Sequence, residues 1–267
     1  MARSATSRTG WWKADSASKL WQNTARTTAV TASGQEVQSM EDQSGNAYHA
    51  TGGSASPTWL SPSNMLLPNL LYNGANNKNT PSRALSVLFG SQAKTLLLSV
   101  RFLAASTNNA ALYDNKSPVG DDGGYFGVPL KSNAGVHTLY PYNWDGDEDG
   151  NSSGQTVSLD TNYIVSVRHD ATNIYLGING GTETSEASGA TSDMTANLVF
   201  GQWYGGFMNF EMGEVATYNA AITGSALSDT IQAMYDDWVV APSVGGGATP
   251  KGWFGLALNG PMKRAVA

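Results

Sequence analysis

The stretch TLLLSVRFL, residues 95–103, is apolar at almost every position. A strand that faces water on one side alternates apolar and polar residues, whereas one covered on both faces reads as a nearly unbroken apolar run. This segment therefore predicts a central strand buried on both sides. Downstream, NYIVSVRHD (162–170) and TNIYLGINGG (172–181) alternate with period two, placing Tyr163, Val165 and Val167 on one face and Ile174, Leu176 and Ile178 in the returning strand. The intervening Asp-Ala-Thr supplies turn chemistry, so the pair predicts a hairpin. NLVFGQW (197–203) and FEMGEVATYN (210–219) add two further strands. The period then changes. In TGSALSDTIQAMYDDWV (223–239), Leu227, Ile231, Met234 and Trp238 recur at helical spacing, with Thr223 or Ser225 available as N-cap.

Composition agrees with many strands and turns. The 267 residues are 40% hydrophobic and only 13% charged, with 30 glycines, 8 tryptophans and 11 tyrosines, a profile unlike that of a helical bundle. The net charge of −6, without a basic stretch, argues against nucleic acid as a partner. Cysteine is absent, which excludes disulfides and thiolate chemistry. No run of about 18 apolar residues occurs, so membrane insertion is not expected. Residues 1–10 are polar and basic, with Arg3 and Arg8, and read as a flexible arm. At the other end, APSVGGGATP (241–250) is a Gly/Pro linker. It precedes KGWFGLALNGPMKRAVA (251–267), whose Trp253, Phe254, Leu256 and Leu258 either fold back on their own domain or dock on a neighbouring subunit.

Several elements in order carry a resemblance. GWWKADS (10–16) looks like an opening W-x-A-D element, and VQSMEDQSGNAYHATGG (37–53) like a turn in which Asp42, Ser44, Gly45, Asn46 and Ala50 fit and Met40 replaces a tryptophan. PSRALSVLFGSQAKTLLLSVRFLAAS looks like a central strand pair. GEVATYNAAITGSALSDTIQAMYDDWV, with Glu214, Tyr218 and Asn219, looks like a closing strand and terminal helix. Over roughly residues 11–240 the chain resembles the concanavalin A-like lectin/glucanase superfamily, in particular the laminin-G-like jelly-roll domains of bacterial surface and bacteriophage virion proteins. The resemblance implies an all-β, concanavalin A-like jelly-roll β-sandwich with one C-terminal amphipathic helix, to which residues 1–10 and 241–267, outside the resemblance, add extended terminal arms. It leaves function open, because lectins, hydrolases and structural modules share such a fold.

Glucanases of this superfamily carry E-x-D-x-E or E-x-D-x-x-E along one strand, with carboxyl groups about 5 Å apart in retaining enzymes. Here Glu211 and Glu214 lie three apart with no aspartate between them, so in a regular strand they point to opposite faces. His49, His137 and His169 are scattered, and neither a G-x-S-x-G elbow nor a phosphate-binding loop occurs. The expectation is a non-enzymatic protein.

NWDGDEDGNSSG (143–154) offers the other chemistry. Asp145, Asp147, Asp149 and Gly150 match the first half of a D-x-D-x-D-G calcium loop, and Asn151 and Ser153 add oxygen donors. Thr156 stands where the bidentate glutamate belongs, so a rim-bound calcium and a solvated acidic turn both remain open. Tyr140, Tyr142, Asn143 and Trp144 adjoin these acids, and VGDDGGYFG adds Asp121, Asp122 and Tyr125. Aromatic faces beside amide and carboxylate oxygens suit a glycan, although the same rings would serve to cover a sandwich edge. Two functions follow as expectations. One is a virion surface protein, assembled in the host cytoplasm as a capsid decoration or tail component, with other virion proteins and copies of itself as partners. The other is a carbohydrate-binding adhesion module for host surface glycans.

Overall fold

The computed structural model describes residues 7–52, 55–75, 77–81, 85–89, 93–104, 110–111, 113–114, 126–144, 148–149, 154–189, 197–203 and 206–239. Eight strands form the large antiparallel sheet: β1 (Arg8–Lys13), β2 (Thr58–Leu60), β3 (Asn69–Asn73), β4 (Ala93–Ala104), β5 (Asn162–Asp170), β6 (Asn173–Ile178), β7 (Thr184–Ala187) and β8 (Asn209–Tyr218). Their order is β7-β6-β5-β4-β8-β3-β2, and β1 also pairs with β8. A six-stranded sheet holds 20–21, 39–40, 50–52, 79–81, 113–114 and 199–200, and a four-stranded sheet holds 110–111, 129–133, 136–139 and 155–157. The expected all-β sandwich is thus present, closed by helix α2 (Gly224–Trp238); a short helix, α1 (Leu85–Phe89), adds to the expected single one.

The continuous apolar run of β4 is explained by its two covers. Leu96, Leu98, Val100 and Phe102 enter the main core with Val165, Val167, Ile174 and Leu176. Leu97 faces the other way, into a second cluster with Ile164, Ala216, Tyr218, Ile231, Met234 and Trp238, beneath α2. Thr223 is the N-cap of α2 but makes no side-chain cap hydrogen bond.

β8 contains the feature that the alternation rule misses. Its register against β4 slips between Met212 and Glu214, leaving Gly213 as an extra residue. Core-facing positions are therefore Phe210 and Met212 before the slip and Val215 after it. Glu211 pairs with Arg101 and Glu214 with Ser99, alternate residues of β4, so the two glutamates share the α2 side of the sheet. The expectation that they point to opposite faces is wrong because a bulge residue shifts the parity of everything after it. At the same place β8 exchanges edge partners, from β3 along 209–212 to β1 along 214–218.

Glu214 closes the sandwich on this side. Fully buried, it accepts hydrogen bonds from the indole Nε1 of Trp11 at 2.8 Å and of Trp238 at 2.9 Å, joining β1, β8 and α2. Bonds of this charge-assisted kind contribute about 1.5–3 kcal/mol each. Lys13 adds a bridge from β1 to Asp237 of α2 at 3.1 Å.

The Asp-Gln-Ser-Gly-Asn turn also has a mechanical role. Asp42, 4% exposed, accepts from the backbone N–H groups of Trp11, Ser44 and Tyr48 and from the Ser44 hydroxyl. Gly45 sits at φ +94°, where a side chain would be strained. Asn46 donates to the Thr9 carbonyl at 2.9 Å. The turn thereby holds the first strand in place.

That first strand corrects the expected arm. Arg8 lies in β1 opposite Tyr218, its guanidinium 4.4 Å from the centroid of the Trp11 ring, so pairing to β8 begins within the segment read as flexible. Arg3, the linker 241–250 and Trp253, Phe254, Leu256 and Leu258 lie outside the described residues.

Candidate functional site

Two places have chemistry worth building from their residues. The first is the region under the acidic loop. Residues 142–144 pair with 148–149, Asn143 opposite Asp149 and Trp144 opposite Glu148. Asp149 is therefore a strand residue of a hairpin, and the D-x-D-x-D-G spacing that suggested a coiled cation loop is interrupted by strand pairing. Asp145, Asp147, Asn151, Asp121 and Asp122 lie outside the described residues. Among the described residues, no group of three or more acidic or histidine side chains could hold a metal ion.

Asn143 and Tyr142 do not face a ligand. Asn143 is fully buried and donates its amide to the Ser188 hydroxyl at 2.8 Å and to the Gly189 carbonyl at 3.1 Å. Tyr142 is only 7% exposed. A buried amide must be hydrogen-bonded, and this one meets that demand internally. Tyr140 is half-buried, with the Lys131 ammonium 4.8 Å from its ring centroid and the backbone of Gly154 so close that a side chain there would collide with the ring.

Beneath these strands Lys94 and His169 are cross-strand partners, both fully buried. His169 Nδ1 accepts from the Ala171 N–H, which leaves Nε2 to donate to the Ser188 carbonyl at 3.3 Å. The Lys94 ammonium lies 4.9 Å from the Phe126 centroid, and burial pulls its pKa down to about 7. His49 accepts the Asp42 N–H at Nδ1, and its pKa is lowered by burial and by the charge of Arg26. His49 and His169 are thus held by internal hydrogen bonds, whereas the buried Nδ1 of His137 has no hydrogen-bond partner among the described residues.

The second place is an open cleft of about 420 Å³ on the α2 side of the large sheet, lined by Asn64, Arg101, Asp160, Thr161, Asn162 and Val239. Arg101 comes from the outward-facing positions of β4, Asn162 opens β5 directly opposite it, and Val239 caps α2. The guanidinium is pinned between two carboxylates: Nη2 to Asp160 Oδ1 at 2.9 Å and Nη1 to Glu211 Oε1 at 3.3 Å. Glu211, 1% exposed, also accepts from Asn64 Nδ2 at 3.0 Å and Asn69 Nδ2 at 2.8 Å. Asn162 donates to the Trp238 carbonyl at 3.3 Å, which ties the rim to the helix end.

None of these cleft residues was expected from sequence. The signal lay in Arg101, which with Lys94 is one of two cations in an otherwise apolar buried strand; a guanidinium there stays charged and calls for a carboxylate partner on the same face. Its partner was Glu211, hidden by the bulge at Gly213.

Neither a family model nor a curated protein matches the sequence. The fold does have solved counterparts. Domain 4 of AbnA, a GH43 extracellular arabinanase from Geobacillus stearothermophilus, in complex with arabinotriose, matches with a TM-score of 0.55 and 14% identity over 84% of this chain and 98% of that one. Trypanosoma rangeli sialidase matches with a TM-score of 0.57 and 12% identity, covering 87% of this chain and 34% of that chain. The binding domain of botulinum neurotoxin DC in complex with SialylT matches with a TM-score of 0.55 and 11% identity, over 86% of this chain and 52% of that one. The expectation of a non-enzymatic protein, drawn from the missing strand motif, is overturned by this set: an arabinanase and a sialidase are enzymes, and chains of both contain this fold. What these likenesses establish for the chain itself is the β-sandwich.

Proposed function

We propose that this chain is a carbohydrate-binding, lectin-like β-sandwich domain that meets glycans at a cell or particle surface. One observation carries the reading: nearly the whole of an arabinanase domain solved with arabinotriose shares this fold. A toxin binding domain solved with SialylT supports it from a second, unrelated setting. The test is a glycan array followed by calorimetry with arabinotriose and a sialylated oligosaccharide, each with and without calcium. Saturable binding of a glycan supports the proposal, and the absence of binding under both conditions overturns it.

A second reading rests on the sequence beyond the sandwich. A Gly/Pro linker followed by Trp253, Phe254, Leu256 and Leu258 suits a segment that docks on another subunit. On that reading the domain decorates a bacteriophage particle, bound to itself and to capsid or tail proteins. The mass in solution of the full chain, beside a truncation ending at Ala241, tests it. An oligomer that becomes monomeric on truncation supports docking, and two monomers refute it.

A further inference from the structure

We propose that the Arg101 cleft is a saccharide subsite that takes a neutral oligosaccharide and rejects anionic sugars; this rests on the carbohydrate-binding reading above. The cleft, of about 420 Å³, is open and polar, which suits a ligand that keeps part of its surface in water. A sugar hydroxyl is both donor and acceptor, so a site for one must present both functions side by side. Arg101 spends one N–H on each of two carboxylates, and its other donors are uncommitted among the described residues. Around it stand acceptors: the second carboxylate oxygen of Asp160 and the amide oxygens of Asn64 and Asn162, residues that bond to other described residues through their other polar atom.

The charge balance chooses between kinds of sugar. One guanidinium faces two carboxylates, Asp160 and Glu211, so the cleft has no positive charge to spare for a carboxylate ligand. A sialic acid would bring a third anion to one cation and meet repulsion; a neutral pentose or hexose meets none. Val239 is the sole apolar lining residue among the described residues, so their contribution to recognition runs through hydrogen bonds rather than through an apolar pocket. The site is also pre-organised. Glu211 is held by Asn64 and Asn69 as well as Arg101, so the guanidinium plane is fixed before any ligand arrives.

Calorimetry with arabinotriose and with free sialic acid, on the full chain and on two variants, tests this. Asp160→Asn removes a rim charge at a position 68% exposed by its side chain, and asparagine tolerates the φ of +56° found there. Thr161→Trp, at an exposed rim position, fills the cleft without touching the buried network. Urea denaturation confirms that each variant is folded. The expected result is binding of arabinotriose and not of sialic acid, weakened at least tenfold by each substitution. Arabinotriose binding that both variants retain unchanged overturns the subsite and leaves the carbohydrate reading standing. Binding of sialic acid in preference to arabinotriose does the same. If the unmodified chain binds no glycan on the array or in calorimetry, both fall together.

Discussion

Replacing Gly213 by alanine tests the bulge that sets the geometry of both glutamates. Gly213 is not at positive φ, so alanine brings no backbone strain, and the effect is steric. A Cβ there would lie 2.4 Å from Cε3 and Cζ3 of Trp238 and 2.6 Å from the Ser99 hydroxyl, where ordinary contact begins at 3.4 Å. Relieving an overlap of that size moves a fully buried indole or shifts β8, and overpacking of this kind costs about 1–3 kcal/mol. Alanine also restricts the unfolded chain, which offsets about 0.4–1 kcal/mol. The net loss is about 1–2 kcal/mol. With a urea slope of about 2–3 kcal/mol/M, the midpoint falls by about 0.5 M. Trp238→Leu supplies the control: it destabilises on its own, through lost packing and the lost bond to Glu214, but it removes the indole overlap, leaving the new methyl only the Ser99 hydroxyl, the end of a rotatable side chain, to displace. In that background Gly213→Ala should cost well under 1 kcal/mol, leaving a coupling of about 1 kcal/mol in a double-mutant cycle. Equal cost in both backgrounds would refute the argument that Gly213 exists to admit Trp238.

Glu214→Gln keeps the shape but turns one acceptor into a donor facing an indole N–H. At a fully buried site it should destabilise by about 2–4 kcal/mol in urea denaturation, and a change under 0.5 kcal/mol would show the clamp to be idle. Lys94 gives a pH signature. Burial lowers its folded pKa to about 7 from the ordinary lysine value of 10.5, so above pH 7 the unfolded chain binds more protons than the folded one. Stability should therefore rise as pH climbs from about 7 towards 10.5, by an order of a few kcal/mol for this group. Lys94→Met should flatten that rise in denaturation midpoints compared at pH 7 and pH 10; an unchanged slope would mean that Lys94 is not the titrating group.

Much of the fold was legible in the sequence because it depends on short-range periodicity. The apolar run of β4, the alternation of the 162–178 hairpin and the i, i+4, i+7 pattern of α2 each record which faces are covered, and each element formed where its pattern lay. The Asp42 turn was written locally in part, since the carboxylate accepts from the Ser44 N–H and the glycine takes the positive φ, but its contacts to Trp11 and Thr9 of the first strand are tertiary. The candidate site was not legible. Asn143 and Tyr142 looked like ligand-facing groups because polarity and aromaticity advertise binding equally in a loop and in a buried strand. Only the position of Ser188, 45 residues away, decided that Asn143 is an internal link. Glu211 and Glu214 looked opposed because alternation assumes a regular strand, and a single bulge residue reverses parity for everything beyond it. The sequence by itself determined which segments become strands and helix, since those preferences are set within a few residues. Tertiary structure alone decided which charged groups meet in the Arg101 cleft, because Asn64, Arg101, Asp160 and Glu211 are brought together by sheet order and register, and neither is encoded at any one position.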